Sequence, residues 1–183
     1  MNSLWGNIFR PKPATGTRAL LRRVPMFHDL DRRELNELEK ILYRRQYDAD
    51  EVIFRQDDPG VGMYVIESGS VAVIQESTGQ TLAQLRAGDS FGEIALLNET
   101  PRSARAVATA PAVLHGLFQA ELYDLVQRNP RLGVKLLLPL ARNLGNRLIH
   151  ADERLQRLHD HLDTLGVSID LEEDDGDSDA SVG

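Results

Sequence analysis

The chain has 183 residues, of which 42% are hydrophobic, and this is enough to bury one compact core with extensions. It contains no cysteine, which excludes disulfides and thiolate chemistry, and no apolar run approaches the roughly 20 residues needed to cross a bilayer. The formal net charge of -7 at pH 7 opposes the attraction to phosphate on which nucleic-acid binders rely. We therefore expect a cytoplasmic protein that has no transmembrane segment and does not bind nucleic acid.

The two ends of the chain differ in composition from its middle. Residues 1–17 contain two prolines and two glycines, which predict a flexible arm, and residues 167–183 form an acidic tail that we expect to be disordered. The arm carries an apolar cluster that either folds back on the domain or docks on another protein. Its members are Leu4, Trp5, Ile8 and Phe9. The arm and the tail are the predicted contacts for an unknown protein partner.

Helical periodicity begins near Arg18. Asp31 and Glu34 have the spacing of a capping box, in which each side chain accepts a hydrogen bond from the other residue's backbone amide. The apolar residues that follow recur at the helical period and predict a helix packed on the domain. They are Leu35, Leu38, Ile41 and Leu42.

Short apolar runs replace this pattern after Tyr47, and turn signals rich in Gly, Asp and Ser separate them at regular intervals. We predict strands at 52–54, 63–66, 71–74, 81–85, 104–109 and 112–118. Runs of this length with such turns are typical of an antiparallel β-roll with jelly-roll-like topology. The predicted fold class is therefore mainly β with flanking helices.

The region after the strands is helical from Gln119 to a stop at Asn129-Pro130, and it then carries a leucine seam. Apolar residues alternate at spacings of four and three over nearly four heptads, which predicts a parallel coiled-coil homodimer. The dimer would form through Leu144, Leu148, Leu155, Leu158 and Leu162. The alternative is that the seam packs on its own domain. Because Pro139 interrupts the helix, we expect a domain over residues 18–138 and a dimerisation helix over 139–166.

The segment Gly88–Val107 has the parts of an anion-and-sugar site. Gly92 allows a ligand to approach the backbone, and the short apolar turn Ile94–Leu97 would leave leading N–H groups available to a phosphate. Arg102 can present two donors to the same phosphate. Glu93 would repel a phosphate but can accept hydrogen bonds from a ribose hydroxyl.

These residues resemble the phosphate-binding cassette of the cyclic-nucleotide-binding domain family, which occurs in cAMP-dependent kinase regulatory subunits, catabolite activator protein and cyclic-nucleotide-gated channels. The resemblance extends from about Leu21 through Arg147. In that family the Gly-Glu pair and the Arg-Ser/Thr/Ala-Ala triplet contact the cyclic phosphate and the ribose, and backbone amides complete the cradle. The resemblance implies ligand-binding residues Phe91, Gly92, Glu93, Ile94, Ala95, Arg102, Ser103 and Ala104.

Two positions depart from the family pattern. Gln56 stands where many members have glycine, in a loop that we expect to lie far from the cassette and to be harmless to it. Arg105 stands where many members have a small hydroxyl residue or an aromatic residue. Its side chain either points to solvent or adds a second positive charge near the ligand.

The resemblance implies a receptor for cAMP or cGMP, because a hydroxyl at Ser103 suits both. The residue that caps the base is expected among Leu144, Arg147 and Leu148. No segment predicts an output domain, an enzyme or a metal site, so we expect a non-enzymatic sensor that acts through another protein. The alternatives are a dimerisation module with an inactive pocket and a cupin-like metal protein, although His115 is the only histidine on a predicted strand.

Overall fold

The computed structural model describes residues 16–164. The acidic tail and nearly all of the N-terminal arm lie outside the described residues. The described part of the chain contains, in order, a helix, a 3-10 turn, a second helix, five strands, a second 3-10 turn, a sixth strand and two further helices. This order agrees with the predicted fold class.

The first helical region comprises α1 (Thr17–Leu21), a 3-10 turn (Pro25–Phe27) and α2 (Arg32–Lys40). The predicted capping box at the start of α2 is confirmed. Asp31 Oδ1 accepts the amides of Arg33 at 2.7 Å and Glu34 at 2.9 Å, and Glu34 Oε2 accepts the amide of Asp31 at 2.7 Å. This reciprocal pairing fixes the start of α2, because it satisfies donors that have no partner within the helix.

The strands form one antiparallel sheet in the order β1-β6-β3-β4, with β2 paired to β6 and β5 paired to β3. Their bounds are β1 Tyr43–Tyr47, β2 Val52–Phe54, β3 Gly62–Ile74, β4 Thr81–Arg86, β5 Ser90–Phe91 and β6 Arg105–Phe118. A short 3-10 turn, Glu93–Leu96, follows β5. The cassette therefore lies between β5 and β6, beside the long strand β3.

Two predicted turns are irregularities within continuous strands. The runs 63–66 and 71–74 belong to the single strand β3, and the runs 104–109 and 112–118 belong to β6. The β3–β6 register shifts between Ile66 and Val71, where Gly69 has a φ of 85°. A Cβ at Gly69 would lie 2.3 Å from the carbonyl oxygen of Pro111, so only glycine allows β3 and β6 to continue past each other at this point.

The strand β1 was not predicted. It is an edge strand paired only to β6, and two of its five residues, Arg45 and Gln46, are exposed. Because these two consecutive residues point to opposite faces of the strand and are both polar, the apolar alternation that marks a strand is weak there.

Two apolar clusters stabilise this arrangement. The first packs the helices on one face of the sheet and is centred on Leu21, Phe27, Leu38, Met63 and Leu132, all fully buried. The second fills the inside of the roll. Its members are Tyr47, Ile66, Val71, Phe91, Ala106, Ala108, Ala112 and Leu114, with Ile53, Phe54, Tyr64 and Leu85 packed against them.

The last helices are α3 (Gln119–Arg128) and α4 (Pro130–Thr164), and they meet at the predicted stop. Helix α4 contains Pro139 in its interior, so the proposed boundary between residues 138 and 139 falls within a helix rather than at its start. The chain divides after Arg142 into two compact units. Three leucines of α4 lie within the first unit and are buried in its core: Leu132, Leu136 and Leu140.

Candidate phosphate-binding site

The turn that follows β5 is built around Gly92. This residue has a φ of 77°, a left-handed conformation that costs an ordinary L-residue roughly 1–2 kcal/mol. The turn lets the 3-10 segment Glu93–Leu96 start directly at the end of the strand, with the carbonyl of Gly92 accepting the amide of Ala95 at 3.2 Å. The predicted contribution of the Ala95 amide to an anion cradle therefore competes with a bond inside the turn.

Arg102 places its guanidinium inside the protein beside this turn. The residue is 6% exposed, and its Nη1 donates to the carbonyl of Gly92 at 3.3 Å. Its Cζ lies 4.2 Å from the ring centroid of Phe54 and 6.0 Å from that of Tyr64, within reach of cation-π attraction. Its Nε is buried and has no hydrogen-bond partner among the described residues.

Burial lowers the pKa of the Arg102 guanidinium, while nearby Tyr64 and Asp58 oppose that effect. The guanidinium nevertheless remains protonated at neutral pH, because the ordinary pKa of arginine is so high that burial does not lower it far enough to release the proton. The site therefore presents a permanent positive charge beside the rings of Phe54 and Tyr64. A buried cation of this kind is costly unless a counter-charge binds it.

The other predicted binding residues divide into buried and exposed groups. Glu93, Ala95 and Ala104 are buried. Phe91 is buried in the roll, where its ring stacks on Tyr64 at a centroid distance of 5.5 Å. Ser103 and the side chain of Ile94 are exposed. The structure thus brings Gly92 and Arg102 into direct contact, whereas Ser103 and Ile94 are not held by the core.

The backbone of Arg102 is held by the loop between β2 and β3, residues 55–61. Asp57 donates its amide to the carbonyl of Arg102 at 2.9 Å, and the amide of Arg102 donates to the carbonyl of Asp58 at 2.9 Å. Pro59 and Pro101 form an isolated β-bridge next to these bonds. A Cβ at Gly60 would lie 2.4 Å from the carbonyl oxygen of Thr100, so this loop lies directly against the cassette.

This contact corrects the expectation that Gln56 lies far from the cassette. The loop that contains it bonds directly to Arg102, because β2 and β6 are paired and bring the start of the loop to the start of β6. Asp57, and not Gln56, adopts the left-handed conformation that glycine favours, with a φ of 66°.

Arg105 meets neither of the two simple expectations. Its side chain is one third exposed and forms an ion pair with Glu76, with 3.7 Å between Arg105 Nε and Glu76 Oε1. Arg105 pairs with Ile74 in the sheet, while the next residue, Ala106, belongs to the inner cluster. Because side chains alternate along a strand, Arg105 lies on the outer face of the roll.

Two residues of the site were missed from sequence. Phe54 and Tyr64 form an aromatic cluster with Phe91, with centroid distances of 5.5 to 6.0 Å, and the Arg102 guanidinium lies on it. Phe54 ends a predicted strand and Tyr64 lies within another. The signal was therefore present as aromatic residues on strands, but only strand pairing shows that they meet at Arg102.

A second polar cluster lies outside the cassette, on the face of the sheet that meets the helices. His115 is 3% exposed, and its Nε2 lies 2.7 Å from Glu67 Oε2. Arg44 donates its Nε to the same oxygen at 2.9 Å. No group of three or more His, Cys, Asp or Glu residues with the geometry of a metal site occurs within residues 16–164.

Comparison with known proteins agrees with this geometry. The cyclic AMP receptor protein of Thermus thermophilus is 37% identical over 123 residues, which cover 66% of this chain and 57% of that protein. A cAMP-dependent protein kinase type II regulatory subunit of Drosophila melanogaster is 40% identical over 107 residues, which cover 57% of this chain and 28% of that protein. The chain thus spans between about a quarter and somewhat over half of these relatives.

The fold also matches a solved structure. The crystal structure of a cyclic nucleotide-binding domain from Methylobacillus flagellatus is similar with a TM-score of 0.65 and 29% identity, covering 76% of this chain and 80% of that one.

None of the helices in residues 16–164 is long and apolar enough to span a membrane.

A family model described as the cyclic nucleotide-binding domain matches residues 44–129, which include the cassette and the loop that holds Arg102. Residues 44–129 of this chain are therefore identified as a cyclic nucleotide-binding domain.

Proposed function

We propose that the chain is a receptor that binds cAMP or cGMP between the turn at Gly92 and the guanidinium of Arg102. The buried guanidinium carries this proposal. Its charge lies on an aromatic surface, has one bond to a backbone carbonyl, and keeps a buried Nε with no hydrogen-bond partner among the described residues. A bound phosphate would supply a counter-charge in direct contact with this guanidinium.

The proposed roles of the neighbouring residues follow from their chemistry. Arg102 binds the cyclic phosphate, and Gly92 leaves room for it because a side chain at this position would meet Arg102. Glu93, which is buried next to Gly92, accepts a hydrogen bond from the ribose hydroxyl. Ser103 and the amides near Ile94 and Ala95 complete the cradle, the Ala95 amide by exchanging its bond to the Gly92 carbonyl for one to the phosphate.

Isothermal titration calorimetry with cAMP and cGMP tests the binding site. The parent protein should bind at least one of them in the micromolar range or tighter, and Arg102→Met should abolish measurable binding. Removing one partner of a buried charged contact costs about 2–5 kcal/mol of binding free energy. Arg86→Ala, at an exposed position of β4, serves as the matched control and should bind normally.

The same variants separate a binding defect from a folding defect. Because a buried guanidinium costs stability when it is unpaired, Arg102→Met should leave the free energy of unfolding of the ligand-free protein unchanged or raise it by about 1 kcal/mol. Unchanged affinity in Arg102→Met, or a parent protein that binds neither nucleotide, would refute the proposed site.

The proposed receptor is a homodimer. Helix α4 continues to Thr164, and three apolar residues of the predicted seam are exposed by 60% or more. These residues are Leu148, Leu155 and Leu158, and Leu144 and Leu162 continue the same spacing. A second copy of the chain is the proposed occupant, because a parallel pair would also bring Arg147 near Asp152 of the second copy.

Signalling through another protein completes the proposal. One similar protein is a regulatory subunit of a kinase, which supports a role in which the nucleotide changes an interaction rather than a reaction. Cross-linking mass spectrometry with the purified partner, once identified, should show different cross-links with and without cAMP. Identical cross-links in both states would contradict signalling through that partner.

A further inference from the structure

A side-chain link joins the loop that holds Arg102 to the hairpin between β3 and β4. Gln56 Oε1 accepts the amide of Glu76 at 3.0 Å and the Nε2 of Gln75 at 3.4 Å. The hairpin is closed by a bond of its own, in which the backbone N–H of Gln75 donates to the backbone carbonyl of Gln80 at 2.9 Å. The loop is therefore attached to Arg102 on one side and to the hairpin on the other.

A second link returns from the hairpin to the cassette. Glu76 forms the ion pair with Arg105, which is the first residue of β6 and lies three positions after Arg102. The two links share Glu76, one through its amide and one through its carboxylate. Together with the backbone bonds of Arg102 to Asp57 and Asp58, they close a ring of contacts around the segment 102–105.

We infer that Gln56, Glu76 and Arg105 are positioning residues for Arg102. They increase the affinity for a cyclic nucleotide by holding the guanidinium of Arg102, called the clamp below, in its binding position. This inference rests on the proposed function. None of the three is needed as a ligand contact, and Arg105 lies on the outer face of the roll. A binding group whose backbone is already fixed loses less conformational freedom on binding, and this raises affinity without any new contact.

The ring should affect binding more than it affects stability. The ion pair of Arg105 and Glu76 is about one third exposed on each side, and such pairs add little to the free energy of unfolding. Gln56 accepts two hydrogen bonds through its Oε1 and belongs to neither of the two apolar clusters. A substitution here can therefore loosen the clamp while the fold persists.

The first test measures cAMP and cGMP affinity by calorimetry. Gln56→Met keeps the length of the side chain and removes the strong acceptor, so it should lower affinity by about fivefold, the equivalent of one hydrogen bond. Thr78→Ala is the matched control, because it removes a hydrogen bond of 3.2 Å within the same hairpin but leaves the link to Gln56 intact. Equal affinities of Gln56→Met and the parent would overturn the inference, as would equal losses in Gln56→Met and Thr78→Ala.

The second test asks whether the effect passes through Arg102. In an Arg102→Lys background, which retains the charge but not the planar fork, Gln56→Met should cause no further loss. Glu76→Arg alone should weaken binding, and Glu76→Arg combined with Arg105→Glu should restore most of it. A full additional loss in the Arg102→Lys background, or no restoration by the exchanged pair, would show that the three residues do not act through Arg102.

A third measurement separates failure of the inference from failure of the proposed function. Hydrogen exchange of the ligand-free protein should be faster at the amides of Arg102 and Asp57 in Gln56→Met than in the parent. Unchanged exchange would refute the positioning role whether or not the protein binds a nucleotide. Absence of binding by the parent, with faster exchange in the variant, would refute the proposed function and leave the ring as an observed support of Arg102.

Discussion

A Cβ added to Gly92 would lie 2.7 Å from Nη1 of Arg102, the same nitrogen that donates to the carbonyl of Gly92. The turn and the clamp are thus packed so closely that neither position can change alone. Nη1 is at the tip of the flexible Arg102 side chain, so the guanidinium would have to move away from a side chain added at Gly92. This relationship connects a backbone conformation to the proposed binding of a phosphate.

Gly92→Ala should therefore reduce nucleotide affinity by at least about tenfold, because the displaced guanidinium no longer meets the phosphate. It should also lower the free energy of unfolding by about 1–2 kcal/mol through its φ of 77°. Gly79→Ala is the control, since it has a similar φ of 70° with no atom within 4 Å of the added Cβ. Calorimetry and urea unfolding of both variants check the prediction, and an equal affinity loss in the two would contradict it.

Asp57→Gly should raise the free energy of unfolding by up to about 1 kcal/mol. The gain comes from relief of the left-handed conformation at φ 66° and is reduced by the greater freedom of glycine in the unfolded chain. Asp57→Val should lower the free energy of unfolding, because a β-branched residue tolerates this conformation poorly. Urea unfolding measures both. A loss of stability in Asp57→Gly would mean that the carboxylate stabilises the loop in some other way.

The stability of the fold should fall with acidification below about pH 6.5. Burial lowers the pKa of His115 from its ordinary value of 6.5 despite the bond to Glu67, so in this range the unfolded chain binds a proton that the native state does not. Burial alone would raise the pKa of Glu67, but hydrogen bonds from Arg44 and His115 outweigh it and lower that pKa. Stability from Glu67 is thus present above pH 4.5 and is lost as the pH falls through its native pKa.

The groups that face His115 include Glu67, Arg44 and, at longer range, Glu39 of α2. His115→Gln should remove the part of the pH dependence that begins near pH 6.5, while the loss below pH 4.5 should become smaller but persist. Urea midpoints measured from pH 4 to 8 decide the matter, and an unaltered profile in His115→Gln would contradict the assignment.

Leu155→Lys should convert the proposed dimer into a monomer, since it places two like charges in an apolar seam. Leu155 is 65% exposed in the single chain, so the change should have little effect on the fold of one copy. Gln156→Lys, one position along the same helix and outside the seam, should remain a dimer. Light scattering of the parent and both variants tests this interface. A monomeric parent or a dimeric Leu155→Lys variant would exclude it.

The contact between Gly92 and Arg102 was predictable, because both residues lie within one short segment of the sequence. The binding roles of Gly92, Glu93 and Arg102 are part of the proposed function. The aromatic surface under Arg102 was not predictable, because Phe54 and Tyr64 reach it only through pairing with β6 and β5. The same limit explains the error over Gln56, whose distance from Arg102 in sequence says nothing about the antiparallel pairing that brings them together.

The strands show a different limit. Gly69 and Pro111 have the residue types of turns, and they predict breaks where β3 and β6 in fact continue. Glycine and proline mark a change in backbone geometry, but the change can be a bulge within a strand as well as a turn between two. Pairing partners, which the sequence does not show directly, decide between these outcomes.

The pairing of β3 with β6 also determines when the site can exist during folding. The two strands pair from Gly62 opposite Phe118 to Ile74 opposite Arg105. The chain between them, which contains β4, β5 and the cassette, is therefore a loop that closes when β3 and β6 pair. The entropy of closing this loop must be lost before the clamp can meet Gly92, so the site should form only after the rate-limiting step. Bound cyclic nucleotide should accordingly slow unfolding in stopped-flow experiments and leave the refolding rate almost unchanged.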